Sequence, residues 1–231
     1  MTGKITWSNA VAQRYELGAK NAVLYPAASD GTYKTGIGWS GITAVTDSPD
    51  GADSVDLYAD NKKYASFRAA ETFGGTIEAY TWPDEWSECD GSVDVSPGVT
   101  FGQQRRKPFG LSYRTEIGNA QNDSAGYKLH LIYNATTSPS EKKYETINDS
   151  PDAVTFSWEY TSNPVSVEGI VGADGTALKP VSSITLDSTK CNLSALEAIL
   201  YGKDSVGETT EVEPRLPLPA EVVTLVTSLG N

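Results

Sequence analysis

Phe109-Gly110-Leu111-Ser112-Tyr113-Arg114-Thr115-Glu116-Ile117 and Tyr127-Lys128-Leu129-His130-Leu131-Ile132-Tyr133 are the stretches on which the reading of this chain turns. Leu111 and Tyr113 stand two residues apart in the first, and Leu129, Leu131 and Tyr133 repeat that spacing in the second. Successive side chains of a strand point to opposite faces, so a period of two lines up one apolar row on one face of a sheet. Aromatic and β-branched residues fit such a pleated surface. Both stretches are therefore expected to be strands with one face buried and the other toward water or a neighbour.

The same rhythm extends outward in both directions. Ala22–Tyr25 reads as a strand stopped by Pro26 and the Ser29-Asp30-Gly31 turn, and Gly36–Thr46 as a second carrying Ile37, Trp39, Ile42 and Val45. Asp47–Asp53 is a polar, turn-rich excursion. Val55-Asp56-Leu57-Tyr58 and Tyr64-Ala65-Ser66-Phe67 flank Ala59–Lys63, which predicts a polar-tipped hairpin inserted at about 47–67. Gly74–Trp82, Val154–Tyr160 (Val154, Phe156 and Trp158 alternating) and Ser182–Leu186 are further strands. Pro83-Asp84-Glu85-Trp86 places proline and acids where a helical turn begins. Asn192 is placed to cap a helix at about 193–201, with Gly202 just past its end. Leu193, Leu196 and Leu200 share one side of that helix, so it should cover a sheet. Residues 203–219, with Pro214, Pro217 and Pro219, read as an extended arm, and Ala220–Leu229 as a short helix or a strand. The expected fold is mainly β: a β-sandwich or barrel spanning 20–202, with one flanking α-helix and extended loops. An amino-terminal arm (1–19) and a carboxy-terminal arm (203–231) flank it.

At 231 residues and 39% hydrophobic content, the chain can fill one large all-β domain. No stretch approaches the roughly 18–20 apolar residues that cross a bilayer, so membrane insertion is not expected. The first ten residues lack the apolar run of a secretory signal, which points to synthesis and assembly in a cytoplasm. Cys89 and Cys191 fit no metal or redox spacing and read as two separate thiols. Thirty acids against eighteen bases give a net charge of −12. Duplex DNA carries about one negative charge per 1.7 Å of axis. Such a surface does not hold DNA, yet it suits a wall past which DNA slides.

Several motifs invite chemical readings. Arg105-Arg106-Lys107 resembles a phosphate patch but lacks an aromatic stacking platform, so loop or interface cations facing a neighbour's acids are expected. Asp47, Asp50 and Asp53 lack the alternating carboxylates and distal glutamate of a calcium loop. Asp84, Glu85, Glu88 and Asp90 could supply a glycosidase pair, but a chain with thirty acids forms such clusters on surface turns anyway. His130, the single histidine, has no nucleophile motif around it and should be half-exposed. Neither a dinucleotide fingerprint nor a phosphate-binding loop occurs. The expectation is a protein without catalytic residues, metal or cofactor.

Five blocks, in order, resemble the major tail tube protein family of long-tailed, siphovirus-type bacteriophages and prophages of Gram-positive bacteria. They are Leu57–Tyr64, Glu78–Trp86 (where tyrosine is commoner at the Trp82 place), Gly102–Thr115, Ile147–Glu159, and Leu196–Gly202 with Pro214–Pro219. Together they cover most of residues 20–225; the amino-terminal arm and the 165–180 loop show no match. The resemblance implies a β-sandwich with a flanking helix and long loops. It implies subunits that close into hexameric rings and stack into a hollow tube, a virion component assembled in the host cytoplasm. The tube encloses a tape measure protein, ends on tail terminator and distal tail proteins, and passes DNA through its lumen without specific binding. The corresponding candidate interface residues are Leu57, Tyr58, Asp60, Asn61, Lys62, Tyr64, Arg105, Arg106, Lys107 and Arg215. The competing reading is a carbohydrate-binding β-sandwich module, with Trp7, Trp39, Trp82, Trp86 and Trp158 as candidate sugar platforms.

Overall fold

The two deciding stretches pair with each other, Ser112 against Leu131 and Tyr113 against His130. They do so in a computed structural model that describes residues 13–51, 53–144, 146, 153–172, 174–204 and 211–228. Along the chain run β1 (Arg14–Pro26), β2 (Tyr33–Lys34), β3 (Ile37–Trp39), β4 (Ile42–Asp47), β5 (Asp50–Gly51), β6 (Ser54–Ala59), β7 (Lys62–Arg68) and β8 (Glu71–Ala79). Helix α1 (Trp86–Asp90) follows, then β9 (Val93–Ser96), β10 (Val99–Phe101), β11 (Phe109–Asn119), β12 (Asn122–Thr137), β13 (Phe156–Ser162), β14 (Ser183–Asp187) and β15 (Cys191–Asn192). Helix α2 (Ser194–Leu200), β16 (Arg215–Leu216), α3 (Pro219–Leu225) and β17 (Thr227–Ser228) close the order. Strand takes 53% of the described residues and helix 10%, so the fold is mainly β, as the alternation predicts.

Nine strands form one antiparallel sheet with the path β3-β1-β11-β12-β13-β8-β4, while β14 adds to β12 and β5 to β8. Strand β12 divides its far edge: Lys128–Ile132 pair with β14, and Ala135–Thr137 pair with β13. Asn134 sits at the division with φ 47°, a left-handed conformation that asparagine tolerates better than most residues. Its N–H is bonded to the Tyr33 hydroxyl at 2.8 Å. The first and last strands of the path are consecutive in sequence, joined through Ser40 and Gly41. The sheet therefore curls until its ends meet. This corrects the single strand expected over 36–46: Gly41, at φ 85°, turns a corner there, because β3 must pair with β1 and β4 with β8.

Curling creates an interior packed with aromatics. Trp86 sits 4.5 Å from Trp39, 4.9 Å from Phe109 and 5.6 Å from Trp158, ring centre to ring centre. All four are buried. The sheet's other surface is closed by a second cluster in which Leu193, Leu196 and Leu200 cover Val23, Leu129 and Leu131. Burying a leucine is worth about 1.5–3 kcal/mol, so this helix is held by packing. Phe109–Tyr113 are consequently buried on both faces, where one exposed face was expected. The helical cap differs slightly from expectation: the Asn192 carboxamide accepts the Ser194 N–H at 3.0 Å, one residue before helical geometry starts.

Of the carboxy-terminal segment read as an extended arm, residues 211–219 fold back instead, while 205–210 lie outside the described residues. Arg215–Leu216 pair with β2, the Gly36 N–H donates to the Pro214 carbonyl at 2.7 Å, and the Tyr133 hydroxyl donates to the Pro217 carbonyl at 3.0 Å. Leu216 and Val222 are buried, which gives this apolar stretch its reason to dock. Residues 220–229, left open between helix and strand, supply α3 and then β17. So α1 and α3 join the one helix expected to flank the sheet. Residues 14–19, placed by sequence in an amino-terminal arm, belong to β1 and pair with β11. Among the described residues, no helix is long and apolar enough to cross a membrane.

Candidate assembly surfaces

The 54–68 hairpin is a two-residue turn between two registered strands. Ala59 opposes Lys62, leaving Asp60 and Asn61 as the loop, at φ 51° and 57°. Both angles are left-handed, as the tight turn that suits strand twist requires, and asparagine and aspartate tolerate them. The register sorts the side chains. Val55 faces Phe67 and Leu57 faces Ala65 on one side, while Ser54, Asp56, Ser66 and Arg68 lie on the other. The polar side satisfies itself: Lys63 pairs with Asp56 at 2.7 Å, and Ser54 bonds Ser66. Lys63 and then Ser66 hold the Asp56 carboxyl below the usual range.

The large side chains of the apolar side are exposed to solvent. Phe67 is 61% exposed and Val55 59%, with Tyr58 at 71% and Tyr64 at 78% near the tip. Ala69 donates to the Asp53 carbonyl, so the hairpin prolongs the β5–β8 ladder beyond the body. Leu57, Tyr58, Asp60, Asn61, Lys62 and Tyr64 are thus brought together on one projecting element.

A second hairpin, missed by the sequence reading, has the same character. In β9–β10, Val93 opposes Phe101, Asp94 opposes Thr100 and, past a register shift that leaves Val95 unpaired, Ser96 opposes Val99, so Val93, Val99 and Phe101 share one side. Those three and Val95 are exposed as well, Val95 at 59% and Phe101 at 57%. The signal was present as Val-Asp-Val and Val-Thr-Phe around Pro97-Gly98, with Gly98 at φ 80°. Strands this short stay below the length at which alternation is persuasive.

The remaining candidates do not join one patch. Arg105, Arg106 and Lys107 form the base of the second hairpin, where the Gln104 N–H donates to the Gly91 carbonyl. Lys107 pairs with Glu88 of its own chain at 2.8 Å, not with an acid left for a neighbour. The Arg106 Nε is buried without a partner among the described residues. Arg215 grips Glu221 through both guanidinium nitrogens and holds that carboxyl below its usual range. It stands beside α3, and its charge is satisfied within the chain.

Several residues of the motifs that invited chemistry have partners within the chain. Asp90 pairs with Lys142, Asp47 accepts the Tyr160 hydroxyl at 3.3 Å, and Asp50 caps the Gly51 N–H at 2.7 Å. His130 stacks on Tyr113 with centroids 4.7 Å apart, its Nε2 lying 3.0 Å from the Thr115 hydroxyl. Burial lowers its pKa and favours the neutral ring. Burial also pushes the Cys89 thiol up to about 12, which keeps it protonated; Cys191 is free as well. Arg114 pairs with Glu197 at 2.7 Å beneath the Tyr127 and Tyr201 rings, tying α2 to the sheet. Trp39, Trp86 and Trp158 lie in the core and offer no platform to a sugar, while half-buried Trp82 packs at right angles to Phe156 with the Lys142 ammonium over its ring. Trp7 lies outside the described residues.

Compared with models of known protein families, the chain matches none, and comparison with curated proteins likewise gives no match.

Proposed function

We propose that this chain is a self-assembling structural subunit, a tail tube protein whose copies close into hexameric rings that stack into a hollow tube. The observation that carries the reading is the bare apolar side of the 54–68 hairpin. Exposed apolar patches on a projecting element mark interaction sites, and a lone copy leaves this one in water. Five sequence blocks in family order support the same reading, and so does the mainly-β fold.

A tube needs two heterologous contacts, one that closes a ring and one that repeats along the axis. Projecting hairpins suit the second. The carboxy-terminal segment, docked on its own domain, does not serve as the reaching arm. The −12 charge suits a lumen that repels phosphate and lets DNA pass. On this reading the tape measure protein fills the tube during assembly, terminator and distal tail proteins close its ends, and the subunit resides in the virion after assembly in the host cytoplasm.

Negative-stain microscopy of the concentrated, purified chain tests the proposal. Hollow tubes or sixfold rings of uniform width are expected. A chain that stays monomeric at every concentration and binds a glycan column would overturn it in favour of a carbohydrate-binding module. Lysine substitutions at lumen acids should slow DNA ejection; unchanged ejection across the full set removes electrostatic repulsion from the account.

A further inference from the structure

The two bare hairpins are attached to opposite ends of one strand. The first enters β8 at Glu71, and the second follows α1 after β8 has ended at Ala79. Nine residues of strand span roughly 26–30 Å at about 3.3 Å each. Each hairpin turns an apolar row to one side: Val55, Leu57, Ala65 and Phe67 on the first, and Val93, Val99 and Phe101 on the second, with exposed Val95 at its register shift. In a single copy the large side chains of both sets remain in solvent, so the hairpins do not cover each other.

Their charges are opposite. Residues 54–68 hold Asp56 and Asp60 against Lys62, Lys63 and Arg68, a net of +1 in a chain of −12. Residues 84–101 hold Asp84, Glu85, Glu88, Asp90 and Asp94 with no lysine or arginine, a net of −5. Pairing within the chain removes Lys63 with Asp56, Glu88 with Lys107, and Asp90 with Lys142. That leaves Lys62 and Arg68 with Asp60 on the first hairpin, still a net of +1, and Asp84, Glu85 and Asp94 on the acidic side. Asp84, Glu85 and Asp94 line an open cleft of about 590 Å³ between α1 and β9, together with Glu88, Arg105 and Lys107. Four carboxylates against two cations keep that cleft negative.

We infer that the 54–68 hairpin of one copy docks on the β9–β10 hairpin of the next, apolar side to apolar side, with Lys62 entering the acidic cleft beside α1. The contact joins two different patches of one molecule. It therefore passes from copy to copy and does not close on a twofold axis. Complementary charge sets the direction, because the receiving cleft is acidic whereas a second 54–68 hairpin carries a net of +1. The inference rests on the self-assembly proposed above and names the surface that receives the hairpin.

Cysteine cross-linking of full chains tests it. Full-length Leu57→Cys is mixed with full-length Val95→Cys under mild oxidation, with wild type and Leu57→Cys plus exposed Leu178→Cys as controls. The expected result is a disulfide-linked dimer from the Leu57→Cys and Val95→Cys pair, at least tenfold above either control. Lys62→Glu should reduce that yield, and Lys62→Glu combined with Glu85→Lys in the partner should restore it. Tubes that form while this pair cross-links no better than the controls would overturn the hairpin-to-hairpin contact and leave the tube reading standing. Absence of both tubes and cross-links would overturn both together.

Discussion

β12 and the 54–68 hairpin follow one sequence rule and end differently. In β12, Leu129, Leu131 and Tyr133 alternate with polar or interior residues, and all three are buried because α2 and the carboxy-terminal segment lie over them. In the hairpin, Val55 and Leu57 alternate with Ser54 and Asp56 across from Phe67 and Ala65, and the apolar row lies bare. Period two says that a strand has an apolar side; it does not say what covers it. The contrast separates residues that hold the fold from residues left for another molecule, and substitutions should divide along that line.

The largest loss belongs to the aromatic interior. Trp158→Ala removes a fully buried ring touching Trp39, Trp82 and Trp86, and should lower unfolding free energy by about 3–5 kcal/mol in urea denaturation. Leu196→Ala empties the helix–sheet cluster and should cost about 2–5 kcal/mol by the same measurement. Costs under about 0.5 kcal/mol at both sites would mean that the body is not the packed unit described.

The hairpin should answer locally. Asn61→Val forces a β-branched residue to φ 57° and should destabilise the turn by about 1–2 kcal/mol. Faster amide exchange at Tyr58 and Lys63, with the denaturation midpoint held, is the expected signature; a shift of the whole midpoint would make the hairpin part of the body.

The smallest effect is a pH dependence at His130. Its folded pKa lies below the ordinary 6.5 because burial disfavours the charged ring, a trend that Asp47 and Glu16 oppose without cancelling. The unfolded chain thus takes the proton first. The stability from a neutral His130 is complete above pH 6.5 and is lost as pH falls through the folded value. His130→Gln should flatten the stability difference between pH 7.5 and pH 5.5 relative to wild type. Parallel curves for the two proteins would contradict it.

Much of the body was legible because its strands are long enough for alternation to register. Phe109–Ile117 and Tyr127–Tyr133 lie within β11 and β12, and the 54–68 hairpin follows from a polar pair between two alternating runs. What the sequence hid is tertiary. The corner at Gly41 depends on which strands β3 and β4 meet, which no local pattern states. The fate of 211–226 depends on an apolar surface around Tyr133 that a proline-rich composition does not reveal. Arg215 and Lys107 read as cations for a neighbour because their acids, Glu221 and Glu88, become adjacent only on folding. The β9–β10 hairpin escaped because each strand is three or four residues long.

Sedimentation velocity of the full chain over rising concentration, beside its Phe67→Ser variant, asks directly whether the bare rows are covered by other copies. Phe67 is exposed in the single chain, so the substitution should move folding stability by no more than about 0.5 kcal/mol. The account predicts fast-sedimenting assemblies for the wild type and a folded monomer for the variant. A wild type that remains monomeric throughout, or a variant that assembles equally well, would contradict it.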